Sequence, residues 1–215
     1  MPPKLAMKHR RERQKRLRDI AFALAALCLL GLVLPAIAVL NLWLNRGPLF
    51  YRQVRMGAGQ RPFAIIKLRT MQPGRVRGAA APMERGRVTP FGAFLRAAHV
   101  DELPQAINIL MGQMSLVGPR PDVWDHAVRF CRTVPGYAAR HGVRPGLTGL
   151  AQVREGYCEG FDGAARKTAA DLDYIASEDA WRDGKIVLRT VAVVASDLMR
   201  WRGKSAPSQP PLPQN

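Results

Sequence analysis

The sequence predicts an α+β protein, mostly helical, in which one N-terminal membrane helix precedes a compact cytoplasmic domain. Residues 20–45 carry no charged side chain and are almost wholly apolar, which is long enough to enter a lipid bilayer. Beyond them, several amphipathic helical patterns surround a single pair of strand-like segments. These observations divide the chain into a basic segment at 1–19, the membrane helix at 20–45, a folded domain at 46–204 and a disordered tail at 205–215.

The composition favours a partner or substrate that carries negative charge. The 215 residues include 33 lysines and arginines against 16 acidic residues, a formal net charge of +17. Such a charge attracts polyanions, so nucleic acid, anionic lipid and phosphorylated small molecules are all candidates. Cys28, Cys131 and Cys158 show neither Cys-x-x-Cys spacing nor a histidine at metal-ligand spacing, so the sequence indicates neither a zinc site nor a disulfide framework. A reducing, cytosolic environment fits this cysteine usage best.

The flanks of the apolar run predict that it enters and leaves the membrane on the same side. Lysines and arginines are concentrated at residues 4–18 and again at 46–69, and the positive-inside rule assigns both flanks to the cytoplasm. Pro35 divides the run, and the part before it would reach only about 22 Å, too short to cross. We therefore expect a re-entrant segment bent at Pro35. A spanning helix kinked at this proline is the alternative, and a cleaved signal peptide fits less well because the run exceeds a signal core of about 7–15 residues.

Short periodic patterns predict the elements of the domain. Two strands at 47–53 and 62–68 flank the turn Gly57-Ala58-Gly59 and should form a hairpin, followed by a loop at 72–87. Further patterns predict helices at 90–98, 103–111, 122–132, 161–177 and 185–201, with loops filling the rest of 119–149. The last two helices are amphipathic, and their apolar faces suit either the core or the membrane interface.

Asp101 and Glu102 are the strongest candidates for chemistry. They are neighbours at the start of a predicted helix, where their side chains diverge, so we expect them to do different work. One carboxylate can attack a phosphorus atom while the other helps to hold Mg²⁺, an ion that proteins bind through one or two carboxylates together with substrate phosphates. The structural alternative is that acidic residues stabilise a helix N-terminus, a contribution of about 0.3–1 kcal/mol.

Several cationic residues are placed to hold phosphate groups. Prolines on both sides stiffen the backbone around Arg120, whose planar guanidinium suits phosphate oxygens. Lys67 and Arg69 alternate along a predicted strand and should share one face. A tight glycine turn follows Arg144 and could approach a ligand closely. Each residue also has an ordinary interpretation, as part of a surface loop, a solvated strand face or a simple turn.

An ordered series of motifs resembles the bacterial sugar transferases, the monotopic phosphoglycosyl transferases that start glycan assembly on polyprenyl phosphate. The series covers nearly the whole chain before the tail, which makes it far more specific than any one motif. Its members are, in order, Lys15-Arg16-x-x-Asp19, Pro35, Gly47-Pro48, Arg52-Gln53, Phe63-x-x-x-Lys67-Leu68-Arg69-Thr70-Met71, Asp101-Glu102-Leu103-Pro104-Gln105, Asn108, Gly112, 114–121 and 145–152. Three positions depart from the family pattern. They are Gln113, where the family usually has an acid, Leu34, where a serine usually precedes the membrane proline, and Arg154-Glu155-Gly156-Tyr157, where Asn-Gly-Arg usually follows Ala-Gln-Val.

The resemblance implies a set of site residues and partners. Asp101 is expected to be the nucleophile and Glu102 its catalytic partner, and both are expected at a Mg²⁺ or Mn²⁺ site. The residues expected to contact the substrate are Lys67, Arg69, Arg96, Pro119, Arg120, Pro121 and Arg144. The expected partners are a UDP-sugar donor, a polyprenyl phosphate acceptor and membrane lipids, with a homodimer left open.

The expected activity follows from the same resemblance. A sugar 1-phosphate would pass from the UDP-sugar to polyprenyl (undecaprenyl) phosphate through an aspartyl-phosphosugar intermediate, at the cytoplasmic face of the bacterial inner membrane. This would be the first membrane step of exopolysaccharide, lipopolysaccharide or glycoprotein glycan synthesis. One alternative is a membrane-tethered nucleic-acid-binding protein, but the basic N-terminal run has no interleaved aromatic residue for base stacking, so we expect no nucleic-acid partner. The other is a non-catalytic scaffold of the same fold.

Overall fold

The computed structural model describes residues 3–72, 87–155 and 160–203, and it confirms a mostly helical α+β chain. In chain order the elements are α1 (Pro3–Leu44), β1 (Phe50–Met56), β2 (Pro62–Leu68), α2 (Pro90–Ala97), α3 (Gln105–Leu110), β3 (Ser115–Val117), α4 (Trp124–Thr133), β4 (Gly146–Thr148), α5 (Leu150–Glu155), α6 (Gly160–Ala176) and α7 (Ala180–Gly203). Short 3₁₀ turns lie at Ala58–Gln60, Val100–Glu102 and Tyr137–Gly142. Most of the predicted loop at 72–87 and all of the predicted tail at 205–215 lie outside the described residues.

The predicted hairpin and helices are found close to their expected positions. β1 and β2 pair antiparallel around the predicted turn, with Phe50 opposite Leu68. Helix α3 begins at Gln105 rather than at residue 103, because a 3₁₀ turn precedes Pro104 and the proline has no amide hydrogen to donate. The elements β3, β4 and α5 were not predicted, because each is too short to show a periodic pattern.

Helix α1 joins the predicted basic segment and the predicted membrane segment into one helix of 42 residues. It continues through Pro35, so the backbone is helical on both sides of the proline. Over His9–Leu44 it is long and apolar enough to cross a membrane, and it is the one such helix among the described residues. The buried positions on it and just after it are Asp19, Ala23, Ala26, Leu30, Ile37, Asn41 and Asn45. Their helical spacing makes them one stripe, which packs against the domain along most of the helix.

Hydrogen bonds attach α1 to the domain at both ends of its apolar part. At the N-terminal end, the carboxylate of Asp19 accepts from the hydroxyl of Ser115 at 3.0 Å and from the amide of Leu116 at 2.9 Å. At the C-terminal end, the side-chain amide of Asn45 donates to the carbonyl of Arg69 at 2.7 Å, and the guanidinium of Arg69 donates back to the carbonyl of Asn45. Because buried polar groups need partners, these bonds specify where each end of α1 docks.

Asn108 joins α3 to β2. Its side chain, which is fully buried, donates to the carbonyl of Ala64 at 2.8 Å and accepts from the amide of Ile66 at 3.2 Å. It also donates to the side-chain oxygen of Gln113 at 2.8 Å. Gln113, one of the residues that depart from the family pattern, thus satisfies a buried amide. These bonds hold α3, and the turn that precedes it, against β2.

The glycine turn after Arg144 lies against the chain's own backbone. β3 and β4 pair in parallel, and Ser115 lies opposite Gly146. A β-carbon on Gly146 would lie 2.2 Å from the amide nitrogen of Gly118, so glycine is required at this position. The amide of Gly146 also donates to the carbonyl of Pro119 at 2.9 Å. The turn therefore supports the start of the loop that carries Arg120.

Large apolar side chains remain exposed on α1 and α7. On α1, Leu32 is 79% exposed and Trp43 is 66% exposed, and on α7 Trp181 and Leu188 are each 72% exposed. Helix α7 packs into the core through Ile186, which is buried. Part of the predicted apolar face of this helix therefore packs in the core, and the rest is exposed. Exposed apolar surface of this kind is typical of contact with a membrane or another protein.

Candidate active site

The Asp101–Glu102 pair lies in the 3₁₀ turn between α2 and α3. The chain reverses at His99, which adopts a left-handed conformation with φ of 53° directly after α2. The amide of Leu103 then donates to the carbonyl of Val100, which closes the turn. The two carboxyl groups are therefore held on a tight turn of fixed shape, ahead of α3 rather than within it.

Glu102 lies between two cations. Its Oε1 atom accepts from Nζ of Lys67 at 2.5 Å and from Nη2 of Arg120 at 2.8 Å, and its side chain is only 14% exposed. Burial alone would raise the pKa of Glu102, but the charges of Arg120 and Lys67 outweigh burial and hold the pKa well below its ordinary value. Glu102 is therefore ionised at neutral pH, and it brings together β2 and the loop after β3.

Asp101 has the opposite electrostatic character. Its side chain is buried, and burial together with the negative charge of Glu102 raises the pKa of Asp101 to about 6. The charges of Lys67, Arg96 and His99 act in the other direction and limit this increase. Two adjacent carboxyl groups whose pKa values are displaced in opposite directions are suited to different tasks in a reaction.

The structure brings some of the predicted substrate-binding residues to this pair and places others elsewhere. Lys67 and Arg120 contact Glu102, and Arg96 on α2 donates to the hydroxyl of Thr70 at 2.7 Å. Arg69 follows the end of β2, and its guanidinium donates to backbone carbonyls, including that of Pro48 at 2.5 Å and that of Met71 at 2.6 Å. Lys67 and Arg69 are therefore not brought to one surface. Arg144 is exposed just before β4.

The prolines that flank Arg120 act through their carbonyl groups. The carbonyl of Pro119 accepts from Gly146, and the carbonyl of Pro121 accepts from Nη1 of Arg55 at 3.0 Å. These bonds attach the loop after β3 to β4 on one side and to β1 on the other. The orientation of Arg120 is thus set by backbone contacts on both sides as well as by the stiffness of proline.

Arg55 and Gln105 are site residues that sequence reasoning did not identify. Both line a small cavity beside Glu102, together with Ile65, Lys67, Arg120 and Pro121. Gln105 is 2% exposed, and Arg55 is held by its bonds to Pro121 and to the side-chain oxygen of Gln53 at 2.6 Å. The available signal was weak: Gln53 and Arg55 alternate on one strand face, and Gln105 follows the Asp-Glu-Leu-Pro sequence directly.

A buried ion cluster also holds the loop that carries Arg120. Arg140 is 2% exposed and donates to the carboxylates of Asp122 and Asp171, the latter at 2.5 Å. It also donates to the carbonyl of Arg120 at 3.0 Å, and the hydroxyl of Tyr137 donates to Asp122 at 2.6 Å. Breaking one partner of such a cluster would leave an uncompensated buried charge, so the cluster makes the backbone at Arg120 rigid.

The donor set of the site fits a metal ion that arrives with its substrate. Across residues 3–72, 87–155 and 160–203, no three His, Cys, Asp or Glu side chains gather as a metal centre. Asp101 and Glu102 offer two carboxylates, and one oxygen of Glu102 is already shared by two cations. Mg²⁺ is commonly held by one or two carboxylates plus substrate phosphates and water, which is what this pair can supply.

Comparison with known proteins agrees with this geometry. A family model for bacterial sugar transferases matches residues 10–197. A UDP-glucose:undecaprenyl-phosphate glucose-1-phosphate transferase of Caulobacter vibrioides is 48% identical over 83% of this chain and 68% of its own length. A protein of the same name from Klebsiella pneumoniae is 38% identical over 82% of this chain, but the match covers only 39% of that protein. The exopolysaccharide production protein PSS of Rhizobium leguminosarum bv. phaseoli is 36% identical over 88% of this chain and 97% of its own length.

Proposed function

Because the chain belongs to the bacterial sugar transferase family, we propose that it transfers a sugar 1-phosphate from a UDP-sugar to undecaprenyl phosphate. The names of its relatives supply the donor and the acceptor. The observation that carries the proposal is the placement of Asp101 and Glu102 on one tight turn, where Glu102 accepts hydrogen bonds from Lys67 and Arg120. The step would begin glycan assembly, such as that of an exopolysaccharide.

The proposed reaction has two displacements at one phosphorus atom. In the first, a carboxylate oxygen of Asp101 attacks the phosphorus that bears the sugar, the bond from that phosphorus to the bridging oxygen breaks, and UMP leaves with the electron pair. In the second, a phosphate oxygen of undecaprenyl phosphate attacks the aspartyl-bound phosphorus, and the carboxylate of Asp101 leaves. The products are undecaprenyl diphosphate sugar and UMP, and the free enzyme is restored.

The neighbouring residues have separate roles in this scheme. Asp101 must be ionised to attack, and a pKa of about 6 leaves it mostly ionised at neutral pH while keeping it more basic than an ordinary aspartate. Lys67 and Arg120, held by Glu102, are positioned to attract the diphosphate. Mg²⁺ or Mn²⁺ would be held by Glu102 and Asp101 and would neutralise charge on the diphosphate.

The covalent step gives the decisive test. Asp101→Asn should remove turnover with undecaprenyl phosphate and a panel of labelled UDP-sugars, whereas Asp125→Asn, at an exposed position of α4, should leave it unchanged. Wild-type kinetics should be ping-pong, and rapid quenching followed by peptide mass spectrometry should locate the sugar phosphate on Asp101. Full activity of Asp101→Asn would refute the assignment of the nucleophile.

We further propose that α1 is re-entrant, so that the domain lies on the cytoplasmic face of the inner membrane. Two observations support this topology. Asp19 and Asn45, at the two ends of the apolar part of α1, both hydrogen-bond to the same domain, which a helix crossing to the far side could not do. Exposed apolar side chains on α1, such as Leu32, offer contacts for lipid tails. UDP-sugars are cytosolic anions, so the basic domain would meet them on this side.

A further inference from the structure

The cavity beside Glu102 has the properties of an anion site. It is lined by Arg55, Ile65, Lys67, Gln105, Arg120 and Pro121, and its volume is about 10 Å³. This is room for roughly one oxygen-sized atom. Four of its six lining side chains are hydrogen-bond donors, and three of those four are cationic. A cavity of this size and composition would hold a single anionic oxygen rather than a whole phosphate group.

Two buried donors of the lining residues have no hydrogen-bond partner within residues 3–72, 87–155 and 160–203. They are Nε of Arg55 and Nε2 of Gln105. The two Nη atoms of Arg55 are already engaged, one with Pro121 and one with Gln53, so Nε is the donor that remains. Buried donors in native proteins are almost always hydrogen-bonded, so two unpaired donors beside one cavity indicate that a bound group completes their hydrogen bonding.

The local charge balance favours an anion as that group. Arg55, Lys67 and Arg120 lie around the cavity, and the carboxylate of Glu102 accepts from only two of them. Burial, and then repulsion from Arg120, lowers the pKa of Arg55, although the carboxylates of Asp122 and Glu102 act in the other direction. An anionic oxygen in the cavity would reduce the repulsion between these cations and would accept hydrogen bonds from both unpaired donors.

We propose that the cavity binds an oxygen of the phosphate next to the uridine of the donor, with Nε of Arg55 and Nε2 of Gln105 as its hydrogen-bond donors. This inference rests on the proposed function. Asp101 does not line the cavity. The phosphorus that Asp101 attacks would therefore belong to the second phosphate of the donor, the one that bears the sugar. As the bridging bond breaks, its electron pair stays with UMP, and the cavity would stabilise the charge that develops on this leaving group.

Binding of UMP tests the inference without turnover. Titration calorimetry of the full chain in lipid nanodiscs would compare the wild type with two variants. Arg55→Lys keeps the charge but loses Nε and the two Nη bonds to Pro121 and Gln53, and Gln105→Met keeps the size but cannot donate. Each variant should bind UMP about 10-fold or more weakly, as expected for a lost hydrogen bond to a charged group. Uridine should bind all of them equally. Arg61→Lys, at the exposed end of the hairpin, is the matched control and should bind UMP like the wild type.

A variant that introduces a negative charge keeps the test decisive if Gln105→Met unfolds. Gln105→Glu retains the shape of the side chain and puts a negative charge beside the cavity, so UMP binding should be lost while uridine binding remains. Unchanged UMP affinity in the Arg55 and Gln105 variants would overturn the inference, since the cavity would then hold only water. An equal loss of uridine affinity would also overturn it, as would an effect confined to the KM for undecaprenyl phosphate.

Turnover of the wild type separates this inference from the proposed function. If the wild type binds UMP through Arg55 and Gln105 but releases no UMP from any UDP-sugar, the anion site stands and the proposed function fails. If the wild type turns over normally and the variants bind UMP as the wild type does, the proposed function stands and the anion site fails.

Discussion

Among single residues, Glu102 organises the charges of the site. It lies partly buried between Lys67 on β2 and Arg120 on the loop after β3, and it stays ionised because both cations lie within hydrogen-bonding distance. Asp101, its neighbour, keeps a pKa of about 6 because burial and the charge of Glu102 both oppose ionisation. One residue therefore holds the cations in place, and the other is available to react.

Arg120→Lys should impair catalysis although it conserves charge. The guanidinium donates to Glu102 at 2.8 Å from a backbone held on both sides, and a lysine cannot reproduce its planar fork. We expect kcat/KM for the UDP-sugar to fall by about 10-fold or more, the scale of one charged hydrogen bond. Steady-state kinetics measure this, with Arg129→Lys on the exposed side of α4 as control. Wild-type kinetics in Arg120→Lys would mean that charge alone suffices.

His141 should make the domain less stable in acid. It is buried, and burial followed by the charge of Arg140 lowers the pKa of His141 to about 4, below its ordinary value of 6.5. Between these pH values the unfolded chain binds more protons than the folded one, so stability is lost as the pH falls from about 6.5 towards 4. The loss attributable to His141 should be on the order of 1–2 kcal/mol at pH 5.

His141→Phe provides the comparison, since it keeps an aromatic ring beside Tyr137 and cannot take up a proton. Urea unfolding of both proteins at pH 7 and pH 5 would measure the difference. The variant should lose less stability on acidification than the wild type. An identical loss in the two proteins would mean that other groups, not His141, cause the acid sensitivity.

At the scale of elements, α1 is a structural part of the domain as well as an apolar helix. Its buried stripe uses small residues where it meets α3: Ala23 and Ala26 pack with Ala106, Ile109 and Met114. Small side chains let the two helices approach closely, and polar residues at both ends fix the position of the contact. The helix–helix contact is therefore sensitive to added volume on one face only.

Ala23→Leu should destabilise the protein, whereas Ala25→Leu should not. Ala23 is fully buried against α3, and Ala25, two positions along the same helix, is exposed. Overpacking of a well-packed contact costs about 1–3 kcal/mol, so a lower midpoint of thermal unfolding is expected for Ala23→Leu alone. Melting curves in the same detergent would compare the two. Equal midpoints would mean that α1 does not pack on α3 in the detergent-solubilised protein.

At the scale of the whole molecule, one domain holds both ends of the apolar part of α1. A spanning helix would carry one end about 30 Å away across the bilayer. Here Asp19 binds the amide of Leu116 and Asn45 binds the carbonyl of Arg69, so both ends remain with the domain. The basic residues that flank the apolar run on both sides agree with this arrangement.

Single cysteines should report the same side of the membrane for both flanks. In a background with Cys28, Cys131 and Cys158 replaced, Met7→Cys and Gln60→Cys should react with a membrane-impermeant thiol reagent only after cells are opened. A protein that keeps Cys28 alone, in the apolar part, should label weakly throughout because lipid covers it. Labelling of either flank in intact cells would show instead that α1 crosses the bilayer.

The sequence by itself determined the features that depend on residues close together in the chain. The apolar run, the hairpin around its glycine turn and the longer helices follow from periodicity and turn chemistry, which act over a few positions. The motif order identified the family, and the adjacency of Asp101 and Glu102 indicated that they would have different roles. The flanking prolines indicated that Arg120 would be held on a stiff backbone.

Only the tertiary structure decided which cations meet those carboxyl groups. Lys67 and Arg69 look alike in the sequence, yet Lys67 contacts Glu102, 35 positions away, while Arg69 binds backbone carbonyls near the end of α1. Arg55 and Gln105 likewise line the cavity because the fold brings distant segments together. The physical reason is that burial, and with it the cost of an unpaired charge or donor, arises from contacts between distant segments, which local pattern does not encode.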